Sequence, residues 1–264
     1  MTAATKQHQV LHLSRELDLP LDAITERLGF LGQSGSGKTY AAMRLAELML
    51  EVGAQIIAVD PVGPWWGLRA AADGKGPGFP VHVFGGIKGD VPLTPEAGAL
   101  VADVLVDKGI SAVLDVSDFT IGQMHHFLVD FAERFFDRKK RSPTPVHVFW
   151  EEAHTFIPQQ LPPDPKAALM LNRVERIIRV GRNYGIGSSL ISQMPQSVNK
   201  KSLNQIACLF AMRTLGPQER KAIGTWFDER RPPARTSAWP TCSRSWGQAR
   251  PTWRARPGSS PPGR

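Results

Sequence analysis

The chain has 264 residues, enough for one sizeable α/β domain, with 42% hydrophobic residues, 21% charged residues and a net charge of +8. No uninterrupted apolar run reaches the length of a membrane span, and Met1–Val10 lacks the basic-then-apolar layout of a secretory leader. Its two cysteines, Cys208 and Cys242, form no metal-ligand or disulfide pattern, which argues against a stapled secreted domain and sets the expectation of a cytoplasmic protein without a membrane partner.

The charge is unevenly placed. Arg230–Arg264 holds eight arginines and no acid, so the rest of the chain balances 24 basic against 24 acidic residues. The surplus therefore gives no support for a nucleic-acid surface on the folded part.

Short apolar runs alternate with helix-like stretches, the pattern of βα units around a mostly parallel sheet. Strands are expected at Thr25–Leu31, Gln55–Asp60, Val81–Phe84, Ala112–Val116, Val146–Trp150, Gly187–Gln193 and Ala207–Arg213. Several are rich in Val, Ile and Phe without strict alternation, as in strands buried on both faces.

After the first of these, Gly32-Gln33-Ser34-Gly35-Ser36-Gly37-Lys38-Thr39 fits G-x-x-x-x-G-K-[ST]. Glycines let such a loop wrap closely, so that its N–H groups point inward at a phosphate. Lys38 then reaches the β/γ-phosphates and Thr39 offers its hydroxyl to Mg²⁺. A strand upstream and an Ala-, Leu- and Met-rich helix downstream, Tyr40–Leu50 stopping at Gly53, separate this loop from an ordinary Gly/Ser turn. The helix N-terminus adds its dipole and free N–H groups where negative charge arrives. Gly32 to Thr39 and the adjoining Tyr40 form the expected nucleotide-binding set, with ATP and Mg²⁺ as ligands.

Further along, Thr94 can cap a helix that has Pro95 at its first position and ends at Gly109. Ile121, Met124, Leu128, Phe131 and Phe135 recur at intervals of three and four and mark one buried helix face. That helix ends in Arg138-Lys139-Lys140-Arg141, read as a solvated end favoured by the dipole rather than as a phosphate contact. Another helix is expected from Pro165 towards Arg182. Arg230–Arg264 has seven prolines and three tryptophans but no Ile, Leu, Val or Phe, too little apolar surface to offset the entropy of ordering. The chain is thus divided into an ATPase domain over 1–228 and an Arg/Pro-rich disordered tail over 229–264, whose abrupt change of composition also fits a shifted reading frame.

The run Val146-His147-Val148-Phe149-Trp150-Glu151-Glu152-Ala153-His154 ends a hydrophobic strand in two carboxylates. Glu151 can hold the Mg²⁺ shell, and Glu152 can orient and polarise the attacking water. Most enzymes with this chemistry place Asp first, so Glu151 is a departure. Ala112-Val113-Leu114-Asp115 competes as a second strand ending in an acid, but it supplies a single carboxylate. A guanine-reading Asn-Lys-x-Asp loop is missing, since Asn199-Lys200-Lys201-Ser202 lacks the aspartate, and so is the Leu-Ser-Gly-Gly-Gln signature of transporter ATPases. A small-molecule kinase stays open, although a carboxylate pair suited to activating water argues for hydrolysis.

Taken in order, the glycine-rich loop, Val59-Asp60-Pro61, Glu151-Glu152-Ala153-His154, Gly181-Arg182-Asn183-Tyr184-Gly185-Ile186-Gly187 and Ser192-Gln193 make five separated blocks, and with them the sequence resembles the HerA/FtsK group of ring ATPases, the HerA branch more than FtsK. The resemblance runs roughly from Leu11 to Asp228. It implies a RecA-like P-loop NTPase fold, a mostly parallel sheet flanked by helices, a homo-oligomer that is usually a hexameric ring, ATP bound between subunits, and motion along DNA. Archaeal HerA carries a small β-barrel ahead of its ATPase core and works with a NurA-type nuclease. This chain has too few residues before Gly32 for that barrel, and a nuclease or effector partner is left open.

The resemblance also implies individual roles. Gln193 matches a polar sensor facing the γ-phosphate or the lytic water, with a simple strand-end cap as the alternative. Arg173, Arg176, Arg179 and Arg182 recur every third residue and sweep one side of a helix. At least two are expected to be solvated; Arg182 is the candidate finger into a neighbour's site, and Arg179 stands second. His154 either relays the hydrolysis state or is satisfied by local hydrogen bonds. The sequence points to an ATP-hydrolysing, DNA-translocating motor. A switch or assembly factor that does not move DNA is the main rival, and a non-hydrolysing nucleotide binder is the third reading.

Overall fold

The computed structural model describes residues 10–71, 76–214 and 216–228; the expected tail and Cys242 lie outside them. In chain order the elements are β1 (Val10–Ser14), β2 (Leu17–Pro20), β3 (Arg27–Leu31), α1 (Lys38–Glu51), β4 (Gln55–Asp60), β5 (His82–Phe84), α2 (Gly98–Lys108), β6 (Ala112–Asp115), α3 (Ile121–Arg141), β7 (Val146–Trp150), α4 (Pro165–Val180), β8 (Ile186–Ser192), α5 (Lys200–Leu203), β9 (Cys208–Ala211) and α6 (Pro217–Asp228). Strands β3 to β9 form one seven-stranded sheet in the order β5-β6-β4-β7-β8-β3-β9. Every pair in it is parallel. Each expected strand is present: Gln55–Asp60 and Val146–Trp150 keep their expected bounds, Gly187–Gln193 is shifted back by one residue, and the others are trimmed by a residue or two at one or both ends.

Alternation along the strands builds two cores. Ile57 and Val59 of β4, Leu114 of β6, and Val146, Val148 and Trp150 of β7 face one layer, where they pack with α2, α3 and α4. Ile56 and Ala58, Val113 and Phe149 face the other, against Ala42, Leu45, Ala46 and Met49 of α1. With both faces covered, the strands need no polar side, which is why their sequences read as continuous apolar runs. The antiparallel hairpin β1–β2 was not foreseen. It adds Leu11 and Leu19 to the α1 layer, two apolar side chains too few to give a period-two signal.

Local chemistry sets the helix ends, with three departures from expectation. Thr94 stands at the N-cap position without a side-chain capping bond, because the first turn, Pro95–Ala97, is 3₁₀ and α2 begins only at Gly98. Helix α3 starts with a reciprocal capping box instead, in which Thr120 Oγ1 accepts from Gln123 N while Gln123 Oε1 accepts from Thr120 N. Ile121 does not join the buried face of Met124, Leu128, Phe131 and Phe135: it occupies the first turn and is 68% exposed. The basic run closing α3 is not a uniformly solvated end. Arg138 pairs with Asp103 and Asp107 of α2, and Lys139 is buried, donating to the Thr144 carbonyl and hydroxyl, with its pKa pushed down to about 8 by burial. Cys208 is a partly buried thiol on β9, packed against the core of the α1 layer.

A buried histidine locks the strands that carry the site. His147 Nδ1 lies 2.9 Å from the Ile24 carbonyl and its Nε2 lies 2.7 Å from Ser189 Oγ. A carbonyl only accepts, so Nδ1 bears the proton and Nε2 accepts from the hydroxyl. Burial holds the ring neutral, with its pKa lowered to about 4. Gly187 leaves room for this bridge: a Cβ there would collide with the Ile24 carbonyl and lie 2.5 Å from His147 Nδ1. Gly187→Ala should therefore cost about 1–3 kcal/mol, the usual range for overpacking, measured as a lower midpoint in chemical denaturation.

Candidate nucleotide-hydrolysis site

In a parallel sheet every strand ends on the same edge, and the loops beyond those ends gather there. Leu31, Trp150 and Ser192 close three neighbouring strands, β3, β7 and β8, with β8 in the middle and Leu31 in register with Ser192. The residues that follow them, Gly32, Glu151 and Gln193, are thereby brought to one place. Asp115 also ends a strand, but β4, β7 and β8 separate β6 from β3. At about 4.8 Å per strand that is a gap of roughly 19 Å. Asp115 spends its carboxylate locally, accepting from Ser117 N at 3.0 Å and Ser117 Oγ at 2.5 Å. The two-carboxylate strand, β7, is the closer of the two to the loop, with only β8 between it and β3.

The loop Gly32–Thr39 has the backbone its glycines allow. Gly35 and Gly37 adopt φ of 68° and 92°, the left-handed region, and Gly37 is the N-cap of α1. Gly32 is needed for close packing, since a Cβ there would sit 2.9 Å from both Met212 Cβ and Ser36 Oγ. Gln33 N donates to the Arg213 carbonyl at 2.9 Å, fixing the loop to the chain leaving β9. Ser34 lies between them in the same turn. Lys38 is 6% exposed and its Nζ donates to the Gln33 carbonyl at 2.9 Å, so the ammonium is held over the loop. Burial lowers its pKa, opposed by the charges of Glu152 and Glu151. Tyr40 is 78% exposed at the third position of α1 and makes no part of the loop's internal bonding.

Thr39 Oγ1 donates to Glu151 Oε1 at 2.8 Å, across 112 residues of sequence. The other oxygen of Glu151 accepts from the indole N–H of Trp65 at 2.9 Å. Among the described residues no three His, Cys, Asp or Glu side chains are gathered to hold a metal unaided. One hydroxyl and one carboxylate in contact are instead the hard-oxygen set that suits Mg²⁺ carried on nucleotide phosphates. Trp65 is the site residue that sequence reasoning missed. Its only signal is the tandem Trp65-Trp66 soon after the strand-end acid Asp60. Asp60 places it: Oδ1 accepts from Val62 N and Gly63 N and Oδ2 from Trp65 N, folding the loop back onto the site.

Glu152 is the single non-glycine residue with positive φ among the described residues, at φ 47° and ψ 55°. Such a backbone is strained by about 1–3 kcal/mol and turns the carboxylate towards β8. There Glu152 Oε2 lies 3.2 Å from His154 Nδ1 and accepts from Gln193 N at 3.4 Å, and His154 Nδ1 is also 3.1 Å from Ser192 Oγ. His154 is thus satisfied locally and also touches Glu152. Gln193 follows β8, the strand that lies between the loop-bearing β3 and the carboxylate-bearing β7.

The arginines do not form one functional row. Arg173 pairs with Glu133, and Arg176 lies 4.3 Å above the Phe136 ring. Arg182 pairs with the buried carboxylate of Glu26. That pair lies before β3 and β8 begin, at the opposite sheet edge from Gly32 and Gln193 and roughly 20 Å away at about 3.3 Å per residue. Arg182 is therefore not part of the site that this chain builds. Arg179 is exposed and makes no ion pair among the described residues.

Burial pushes the Glu151 pKa up to about 7; the Trp65 and Thr39 hydrogen bonds work against this, and the charges of Asp60 and Glu152 reinforce it. The folded state then holds a proton that the unfolded chain has released. Without metal, this group lowers stability progressively as pH rises from 4.5 to about 7. Glu151→Gln cannot ionise. In EDTA, the melting temperature of this variant relative to wild type should move in the variant's favour between about pH 5 and about pH 8, followed by differential scanning fluorimetry.

No family model matches the chain. A probable helicase of Methanocaldococcus jannaschii is 27% identical over 107 residues, covering 40% of this chain and 20% of that protein. The DNA double-strand break repair helicase HerA of Pyrococcus furiosus is 33% identical over 79 residues, covering 30% of this chain and 13% of that protein. These alignments span only a small part of the curated relatives. VirB4 of Thermoanaerobacter pseudethanolicus superposes with a TM-score of 0.56 at 12% identity, over 86% of this chain and 90% of that one. The genome packaging NTPase B204 of Sulfolobus turreted icosahedral virus 2, solved in complex with ATP-γ-S, gives 0.50 at 13% identity, over 78% and 83%. The chain has the P-loop NTPase fold and resembles HerA-type helicases in sequence. No helix among the described residues is long and apolar enough to cross a membrane.

Proposed function

We propose that this chain is an ATP-hydrolysing motor domain of HerA type, working as a homo-oligomeric ring, a hexamer by resemblance, that moves along DNA in the cytoplasm. The observation that carries the ATPase reading is the contact between Thr39 and Glu151, with Glu152 one residue on and Lys38 over the loop. An ordinary glycine turn has no reason to meet the end of a strand that supplies two carboxylates.

In this reading the loop N–H groups, Lys38 and the N-terminus of α1 bind and orient the triphosphate, with Tyr40 exposed beside it for the rest of the nucleotide. Thr39 and Glu151 would hold Mg²⁺, which when bound neutralises charge on the β- and γ-phosphates. Glu152 accepts the proton of the attacking water, and Gln193 and His154 set the direction of its carboxylate. The strained backbone at Glu152 supports such a role, since residues held in sparse conformations cluster at working sites. Arg182, first choice from sequence as a finger in trans, would have to leave Glu26 to act, while Arg179 has no such pair to break. Arg179 becomes the stronger candidate for the neighbour's site.

DNA translocation rests on resemblance to the helicases above, and a nuclease or effector partner remains part of the proposal. The decisive comparison is ATP turnover with and without long duplex DNA, alongside native mass. Stimulation by DNA in a ring-sized species supports the motor, and DNA-indifferent turnover supports a switch. Glu152→Gln should retain ATP binding and lose turnover by about 10²–10⁴-fold, the range of a general base, while Lys38→Ala should lose both. Unchanged turnover in folded Lys38→Ala protein would overturn the assignment of the loop.

A second comparison locates the DNA surface. The eight arginines of Arg230–Arg264 hold the whole charge surplus. Salt-sensitive, sequence-independent DNA binding by the full chain should therefore weaken in a version ending at Glu229, read as a smaller slope in a salt titration. An unchanged slope would place the phosphate contacts on the ATPase domain.

A further inference from the structure

We propose that Trp65 is a positioning residue for the metal side of the site, fixing the carboxylate of Glu151 through its indole N–H. The inference rests on the reading of Glu151 as the Mg²⁺-side acid and adds a residue outside every motif that led to that reading.

The geometry is specific. Trp65 is fully buried, and its Nε1 donates to Glu151 Oε2 at 2.9 Å while Thr39 Oγ1 occupies Oε1. Each carboxylate oxygen thus has one donor, one from the first turn of α1 and the other from the turn that follows β4. The indole is a donor only, so it cannot become a metal ligand or exchange roles with Thr39. Glutamate has one more rotatable bond than aspartate, and an unanchored Glu151 would sample several carboxylate positions. The Trp65 bond removes that freedom and leaves Oε1 facing the loop. Supporting bonds of this kind orient the groups that hold a metal.

Trp65 is itself held from three sides. Its backbone N donates to Asp60 Oδ2 at 2.9 Å, its ring packs against Phe149 at a centroid distance of 5.0 Å, and it belongs to the α1 core. A tryptophan required only for filling that core would not need its N–H aimed at a carboxylate. The Val59-Asp60-Pro61 block thereby gains a physical purpose: Asp60 shapes the turn that delivers the indole.

The test is Mn²⁺ binding in the presence of a non-hydrolysable ATP analogue, followed by the electron paramagnetic resonance signal of free Mn²⁺, for wild type, Trp65→Phe, Glu151→Gln and the double variant. Affinity for a fluorescent ATP analogue in EDTA is measured in parallel. Trp65→Phe keeps an aromatic ring and loses the N–H. It should leave metal-free nucleotide affinity unchanged and weaken Mn²⁺ binding about 10–100-fold, the range for lost supporting bonds at metal sites. In the Glu151→Gln background the same change should have no further effect. Trp65→His, which restores a ring N–H, is the second variant if Trp65→Phe does not fold, and it should bind Mn²⁺ more tightly than Trp65→Leu. Wild-type Mn²⁺ affinity in Trp65→Phe, an equal loss in both backgrounds, or no difference between the His and Leu variants would reduce Trp65 to a packing residue. If Glu151→Gln alone leaves Mn²⁺ affinity unchanged, the metal-side reading of Glu151 fails, and this inference with it.

Discussion

The hydrogen bond between Thr39 and Glu151 is the constraint on which the rest of the site depends. It joins the first turn of α1 to the end of β7, two strands away from the loop that α1 follows. The bond can form only if β3, β8 and β7 are parallel, in this order and in register, so that their last residues share one edge. The buried His147 bridge to Ile24 and Ser189 contributes to that register from the opposite end of the strands. A one-residue slip would turn the strand faces over and carry Glu151 away from Thr39. The sheet is in this sense part of the chemistry, and its two cores act as the clamp.

Electrostatics explains why the edge is balanced against self-repulsion. Asp60, Glu151 and Glu152 crowd together, with Asp60 and Glu151 almost fully buried, and both have pKa values raised chiefly by desolvation. The protein offsets part of this with directed donors: three backbone N–H groups on Asp60, a hydroxyl and an indole on Glu151, and a backbone N–H on Glu152. Lys38 is a cation that feels the charges of Glu152 and Glu151, and burial lowers its pKa as well. With Glu151 pushed up to about 7, Asp60 raised by burial and a desolvated lysine beside them, the site is short of positive charge. A divalent cation and a polyanionic phosphate chain, arriving together, would relieve both conditions.

The arginines of the α4 region illustrate how packing reassigns residues of equal appearance. Four arginines at a spacing of three look equivalent in sequence. The fold gives Arg173 and Arg176 partners on α3, ties Arg182 to Glu26, and leaves Arg179 exposed. The spacing was legible because it is local, although only Arg173, Arg176 and Arg179 lie on α4 and Arg182 falls in the 3₁₀ turn that follows it. The partners were not, because Glu133, Phe136 and Glu26 come from distant parts of the chain.

By itself the sequence determined the seven strands of the sheet, the loop over Gly32–Thr39, and the pair Glu151/Glu152, because these depend on apolar periodicity, on glycine's access to positive φ, and on local spacing. Only the tertiary structure decided that three strands separate Asp115 from the loop-bearing β3, that Lys139 is buried, that Glu152 takes a left-handed backbone, and that Trp65 reaches Glu151. Each of these is set by which strands become neighbours and by which side chains then compete for the same space. Those facts arise from contacts across 86 or 112 residues, as at Trp65 and Thr39, and a linear pattern carries no record of them.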